Sequence, residues 1–318
     1  MPGLTVLTYM ADGVSGRPMP SLIEASLCRG LGGRCPIRNI AADAAAAATA
    51  KSCAGCKVGT SKVHAPKVYA LNRSLSDLIA LKGPDELVMF IDGADVAYGG
   101  CARSAKDAAA AVEVASLQSL LERKLARVGA SVIFGAEIQS WDHGNKPFPK
   151  RNTTGCALKA HSAIRFQHLN SGMMAGRAAS VARVVHWVVR NWNEPSTKSR
   201  YNSDQGKFGR YFLTQQHDVR VALDYCGDLF FNAMGVPRPL SPITVNATDR
   251  KIYYLPNERP LCFVHWNGPI AKWQSAYKQV TSLYGLASQN TLKCDSDSKG
   301  VADMSTCSYR QKTRLRRS

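Results

Sequence analysis

Short apolar runs closed by turn residues alternate along this chain with longer segments whose apolar positions recur every three or four residues. Leu4-Thr5-Val6-Leu7-Thr8-Tyr9 is the first such run and predicts a strand, ended by Ala11-Asp12-Gly13. Leu87-Val88-Met89-Phe90-Ile91 is apolar at every position and stops at Asp92-Gly93. That is the pattern of a strand buried on both faces of a parallel sheet. Ser131–Phe134, Val219–Leu223 and Leu261–Val264 are further short strands. Helical spacing predicts a helix over Val68–Leu81, entered after Pro66. A second covers Ala105–Val128, with Val112, Leu117, Leu120, Leu121 and Leu125 on one face and Gly129 as its stop, and a third covers Ala179–Trp192. The Ala41–Ala50 run reads as a helix or a loop. Strands alternating with helices predict an α/β fold with crossover connections.

With 318 residues the chain can bury roughly 75% of its unfolded surface as one large domain or two small ones. Its 45% hydrophobic and 20% charged content excludes wholesale disorder. From about Gln289 the sequence turns polar and ends in a basic run through Arg310, Lys312, Arg314, Arg316 and Arg317. The expected organisation is therefore one domain over 1–288 and a disordered tail over 289–318. No run of about 18 apolar residues exists, so no integral membrane segment is expected. The first run is too short for a signal peptide, which makes the chain cytosolic by default, or of the secretory pathway if it is part of a longer protein. The sequons at Asn72, Asn152 and Asn246 would matter only there. Of ten cysteines, Cys53 and Cys56 form a lone CxxC with no second pair for zinc, so loop disulfides or free thiols are expected.

Charge changes the picture more than composition does. The net charge is +18, with −3 over residues 81–142 and +10 over residues 143–220. A balance this basic suits a phosphorylated or polyanionic partner. A site for a metal and a phosphate needs both signs close in space.

In open α/β sheets ligands bind beyond the carboxyl ends of the strands. After Ile91 come Asp92 and Asp95, two carboxylates three residues apart on a turn of small residues, able to converge on a hard divalent cation. After Val264 comes His265, whose imidazole can complete such a site. Mixed oxygen and nitrogen ligands favour Mn²⁺. Lys272, just beyond, could reach a phosphate. Glu137 and Trp141 come after Phe134. Asn170, Ser171 and Gly172 stand in an apolar context, and Asp204-Gln205 adds another acid and amide.

Six blocks in one order carry a resemblance. Phe90-Ile91-Asp92-Gly93-Ala94-Asp95-Val96 resembles F-x-D-x-x-D-V. Phe134-Gly135-Ala136-Glu137 with Trp141 resembles F-S-A-E-x-x-x-W, and Leu169-Asn170-Ser171-Gly172 with Gly176 resembles L-N-S-G-x-x-x-G. Asp204-Gln205 resembles a D-Q pair, Leu223-Asp224 with Leu229-Phe230 resembles L-D-x-x-x-x-I-F, and His265-Trp266-Asn267-Gly268-Pro269 resembles H-G-N-G-P. These are patterns of GT-A glycosyltransferases of the procollagen lysyl hydroxylase/galactosylhydroxylysine glucosyltransferase (PLOD-type) group.

The resemblance implies a GT-A, Rossmann-like sheet, mixed and mostly parallel, a UDP-sugar donor (UDP-glucose or UDP-galactose) and Mn²⁺ at the diphosphate. Carried over by position, Asp92, Asp95 and His265 would be metal ligands, with Asp95 also near the ribose. Thr8 and Tyr9 would lie at the uridine, Gly268 and Lys272 at the diphosphate, and Trp141 on the acceptor side. Asn170, Asp204 and Glu137 would serve the sugar and acceptor. Trp266 stands where the group has Gly, which would crowd the loop or offer a stacking surface. The implied function is hexosyl transfer to a hydroxyl of a protein, such as hydroxylysine, or of a glycan. The charge keeps two alternatives open: glucosylation of a hydroxymethylated base in DNA, and a nucleic-acid-binding protein without catalysis.

Overall fold

A computed structural model of the chain describes residues 3–10, 21–28, 36–41, 61–93, 95–102, 110–138, 166–192, 203–214, 218–233, 243–254, 259–267, 274–284, 290–296 and 302–311. Its strands, in chain order, begin with β1 (Leu4–Tyr9), β2 (Ile37–Asn39), β3 (Leu87–Asp92), β4 (Val96–Tyr98), β5 (Val132–Glu137), β6 (His168–Arg177) and β7 (Val221–Asp224). They continue with β8 (Phe230–Asn232), β9 (Ile243–Asn246), β10 (Lys251–Tyr254), β11 (Arg259–Pro260), β12 (Phe263–His265), β13 (Asn290–Ser296) and β14 (Ala302–Gln311). The helices are α1 (Leu22–Cys28), α2 (Ser61–Lys82), α3 (Ala110–Val128), α4 (Ala178–Arg190), α5 (Asp204–Thr214) and α6 (Gln274–Leu283).

The central sheet runs in the order β2-β1-β3-β6-β5-β8-β12-β4, with β7 also paired to β5. Five of its pairings are parallel. Three are antiparallel, two made by β6 and one by β4. This is the expected Rossmann-like α/β fold, with a mixed, mostly parallel sheet and helices on both faces. Strand β3 shows why. Val88 and Phe90 join the core under α2 and α4, whereas Leu87, Met89 and Ile91 join the one shared with α1 and α3. Alternate side chains point to opposite faces, and with both faces covered the strand is apolar throughout.

Local signals set several helix ends. Ser21 and Glu24 form a reciprocal capping box at α1, each side chain accepting the other's backbone N–H. Ser203 Oγ accepts the Gly206 N–H and caps α5. Gly129, at φ 61°, ends α3 in the left-handed conformation that glycine adopts freely. On α4, Val181, Val184, Val185 and Val188 form one buried stripe that packs toward α2 and α5.

The structure departs from the sequence reading at several points. Helix α2 begins at Ser61, so Pro66 lies inside it. Pro66 removes one N–H in the second turn, and the helix tolerates that loss where its N-terminal half packs on the site. The β6 strand and the α5 helix were not expected. Residues 290–296 and 302–311 pair as an antiparallel hairpin where a disordered tail was expected, with Cys294 opposite Cys307 in register. Cys101 and Cys262 form a disulfide between the end of β4 and the start of β12, and Cys28 and Cys226 are each in a disulfide as well. Cys53 and Cys56 lie outside the described residues, as does most of Ala41–Ala50. Among the described residues no helix is long and apolar enough to cross a membrane.

A buried ion pair locks the β7–β8 turn. Lys124 Nζ on α3 lies 2.5 Å from Asp224 Oδ1 and 3.2 Å from Asp228 Oδ2, and Asp224 Oδ2 accepts the N–H groups of Leu229 and Phe230 at 2.8 Å each. Asp224 is fully buried. Lys124→Met leaves that charge uncompensated and is expected to cost about 3–5 kcal/mol, read as a drop in the urea midpoint. The Lys124→Met/Asp224→Asn double variant should recover part of the loss. A single variant as stable as wild type would show that the pair does not hold the turn.

Candidate functional site

The carboxyl ends of β1, β3 and β12 meet the start of β6, and polar side chains collect there. In register, Tyr9 pairs with Asp92 and Thr8 with Ile91, so the end of β1 lies beside the first acid. Thr8 is fully buried, with an unpartnered Oγ1. Burial pushes the Tyr9 phenol above its usual range.

Strand β4 is antiparallel to β12 and pairs Val96 with His265, which brings Asp95 alongside the imidazole. His265 Nε2 lies 3.2 Å from Asp95 Oδ1. Its other nitrogen, Nδ1, lies 3.1 Å from Asn170 Oδ1 and 3.0 Å from Asn232 Oδ1. The orientation of both amides is fixed by their other bonds. Asn170 Nδ2 donates to Glu137 Oε2 at 3.1 Å and Gln205 Oε1 at 3.4 Å, and Asn232 Nδ2 donates to the Ala136 carbonyl at 2.8 Å. Two oxygens therefore face Nδ1, so Nδ1 carries the proton and donates. Nε2 then faces the Asp95 carboxylate, an arrangement that calls for a proton or a cation between them. Burial lowers the His265 pKa, but Asp95, Asp92 and Glu137 together outweigh it and the net shift is upward. Burial raises Asp95, and His265 outweighs that to bring it down.

Gly172 makes the close approach possible. A Cβ there would stand 2.5 Å from His265 Cε1 and 2.9 Å from Asp92 Oδ2, distances no side chain tolerates. Asp92 and His265 thus flank one point on β6.

Two residues of α2 enter the same cluster. Lys67 Nζ lies 3.1 and 3.4 Å from the two oxygens of Asp92 and 2.6 Å from Asp204 Oδ2. His64 Nδ1 lies 3.0 Å from Asp204 Oδ1, and Ser171 Oγ donates to Asp204 Oδ2 at 3.2 Å. Burial raises the Asp204 pKa, but Lys67 and His64 outweigh it and hold the carboxyl far below its usual range. Burial pushes Asp92 up against the opposing pull of Lys67, and the net shift is upward.

Glu137 has different company. It accepts from Asn170, from Gln205 at 2.5 Å and from Asn267 at 2.6 Å, all neutral amides. Burial is the largest influence, the amides oppose it only partly, and the pKa is pushed up to about 7.

The structure therefore brings together Thr8, Tyr9, Asp92, Asp95, Glu137, Asn170, Asp204 and His265. Trp141, Gly268 and Lys272 lie outside the described residues. Trp266 offers no exposed stacking surface. It is fully buried and packs edge-on against Tyr277, with ring centroids 6.0 Å apart. Sequence reasoning missed His64, Lys67 and Asn232. The i, i+3 spacing of His64 and Lys67 was a usable signal, masked by starting the helix after Pro66.

Among the described residues the acid, imidazole and thiol groups whose ligand atoms all lie within 4.8 Å of one another are Asp224, Cys226 and Asp228. Cys226 is in a disulfide and Asp224 is already paired with Lys124, so that trio has no donor set to offer a metal. Asp92, Asp95 and His265 have the right donor chemistry but do not close so tightly, and Asp92 contacts Lys67. A surface cavity of about 610 Å³, lined by Arg183, His186, Arg190 and Tyr211 among others, lies between α4 and α5 and includes none of these acids.

No protein-family model and no curated protein matches the chain. A solved structure of a glycosyltransferase involved in the glycosylation of the major capsid of PBCV-1 is similar over 87% of this chain and 100% of that one, at 11% identity and a TM-score of 0.44.

Glu137 makes a stability prediction. Its folded pKa of about 7 exceeds the ordinary 4.5, so the folded state binds the extra proton in that window. The stabilisation from protonation is complete below about pH 4.5 and is lost as pH rises through 7. Relative to Glu137→Gln, wild type is expected to lose up to roughly 3 kcal/mol between pH 4.5 and 8, measured by urea unfolding at each pH. A pH-independent difference would show that Glu137 does not titrate there.

Proposed function

We propose that this chain is a metal-dependent glycosyltransferase that moves a hexose, glucose or galactose, from a UDP-sugar to an acceptor hydroxyl. The observation that carries the reading is the His265 imidazole. Its Nδ1–H is committed to two amide oxygens, which leaves Nε2 to face Asp95, beside Asp92. Ligating histidines in metal sites usually donate their other ring N–H to a fixed acceptor in this way, which sets the tautomer and the ring orientation.

The donor set fits a divalent cation such as Mn²⁺: Asp92, Asp95 and His265 would hold it with oxygen and imidazole nitrogen. When bound, the cation supplies Lewis-acid stabilisation of the charge that grows on the diphosphate as the sugar leaves. The chain's own residues do the rest. Thr8 and Tyr9 border the nucleotide at the end of β1. Gly268 and Lys272 would face the diphosphate and Trp141 the acceptor. Asn170 holds both His265 and Glu137 in place. Glu137 is the acid suited to hold or release a proton near neutral pH. Asp204, permanently charged, orients the sugar and acceptor side. The six sequence blocks that resemble the procollagen glucosyltransferase group support a hydroxylysine-linked or glycan acceptor.

Release of UDP from UDP-glucose and UDP-galactose, with and without Mn²⁺, tests this reading. Wild type is expected to require Mn²⁺, and Asp95→Ala to lose about 100-fold or more of the activity while its circular dichroism shows that it remains folded. Full activity in Asp95→Ala would remove the metal assignment.

A further inference from the structure

Lys67 has no role in the proposed transfer, yet it sits at the centre of the cluster. It projects from α2 over the Phe90 ring, 5.9 Å from its centroid, and is 9% exposed. Its ammonium touches both oxygens of Asp92, at 3.1 and 3.4 Å, and Asp204 at 2.6 Å. A divalent cation at Asp92, Asp95 and His265 would need Asp92 oxygens that Lys67 already holds. Two positive charges sharing one carboxylate at this depth repel each other strongly.

We infer that Lys67 is an internal competitor for the divalent cation, holding Asp92 apart from Asp95 and His265 until a diphosphate arrives. The inference rests on the metal site of the proposed function. The cation alone binds weakly because it must displace a buried ammonium. Added UDP brings negative charge that offers both Lys67 and the cation another partner. Cation and nucleotide therefore bind with positive coupling, and each raises the other's affinity by the same factor. Lys67 is a positioning residue in this scheme. It acts through Asp92 and keeps three neighbouring carboxylates, Asp92, Asp95 and Asp204, compatible with burial when no cation is bound.

Mn²⁺ binding to the full chain is measured from the electron paramagnetic resonance of free Mn²⁺, with and without UDP. Wild type is expected to bind Mn²⁺ weakly alone and about tenfold or more tightly with UDP. Lys67→Met should bind Mn²⁺ alone at least tenfold more tightly than wild type, and UDP should add little. Lys67→Arg, which keeps the charge, should behave as wild type does. If Lys67→Met fails to fold because Asp204 loses its ammonium partner, Lys67→Met/Asp204→Asn removes that charge and still frees Asp92. Equal or weaker Mn²⁺ binding in the folded Met variant, with wild type binding Mn²⁺ in the presence of UDP, overturns the role of Lys67 and leaves the metal site standing. No Mn²⁺ binding by any form, with or without UDP, overturns both.

Discussion

Removing an ionised carboxylate from water costs several kcal/mol unless a charge or a set of donors replaces the solvent, and this fold places four carboxylates at one end of its sheet. Each has a different remedy. Asp204 takes Lys67, His64 and Ser171. Asp92 takes Lys67, Asp95 takes His265, and Glu137 takes three amides. The need for these partners explains features that packing alone does not. Helix α2 must bring its N-terminal half to the cluster despite Pro66. Strand β6 must run against β3 and β5 to deliver Asn170, Ser171 and Gly172 to the same place. The only residue that fits between Asp92 and His265 is one without a side chain.

Much of this was legible along the chain. Short, largely apolar runs marked β1, β3 and β5 because strands covered on both faces have little polar side to show. Asp92, Asp95 and His265 stood out because each sits just past the carboxyl end of such a run, where an open α/β sheet binds its ligands. The rest was hidden for physical reasons. In strand β6 the apolar context is broken by polar residues and glycines, because its first residues build the site and its glycines admit neighbours too close for a Cβ. Helix α5 carries Gly206 and Gly209, which weaken its helical signal, and forms because Ser203 caps it and Phe208, Tyr211 and Phe212 are buried. Lys67 and His64 look like ordinary surface residues until α2 is placed. Asn232 makes its two contacts to residues 33 and 96 positions away, a separation no local pattern reports.

The same remedies also divide the labour between the two acids whose roles the sequence left interchangeable. A general base must be able to take a proton near working pH. Asp204 is clamped by an ammonium, an imidazole and a hydroxyl, so protonating it means breaking pairs that burial has made strong, and it stays an anion. Glu137 has neutral amides, not a cation, in hydrogen-bond contact, and the pull of His265 on it is weaker than burial. Its three amide partners soften the cost of burial without abolishing it, which leaves the carboxyl poised near neutrality. The link between Glu137 and the imidazole runs through Asn170, whose amide nitrogen serves the acid and whose oxygen serves His265. A change in the charge of Glu137 is thus felt at His265 through a single side chain. Within a glycosyl-transfer reading, Glu137 is the acid able to exchange a proton, and Asp204 is a fixed charge against which substrate groups are oriented.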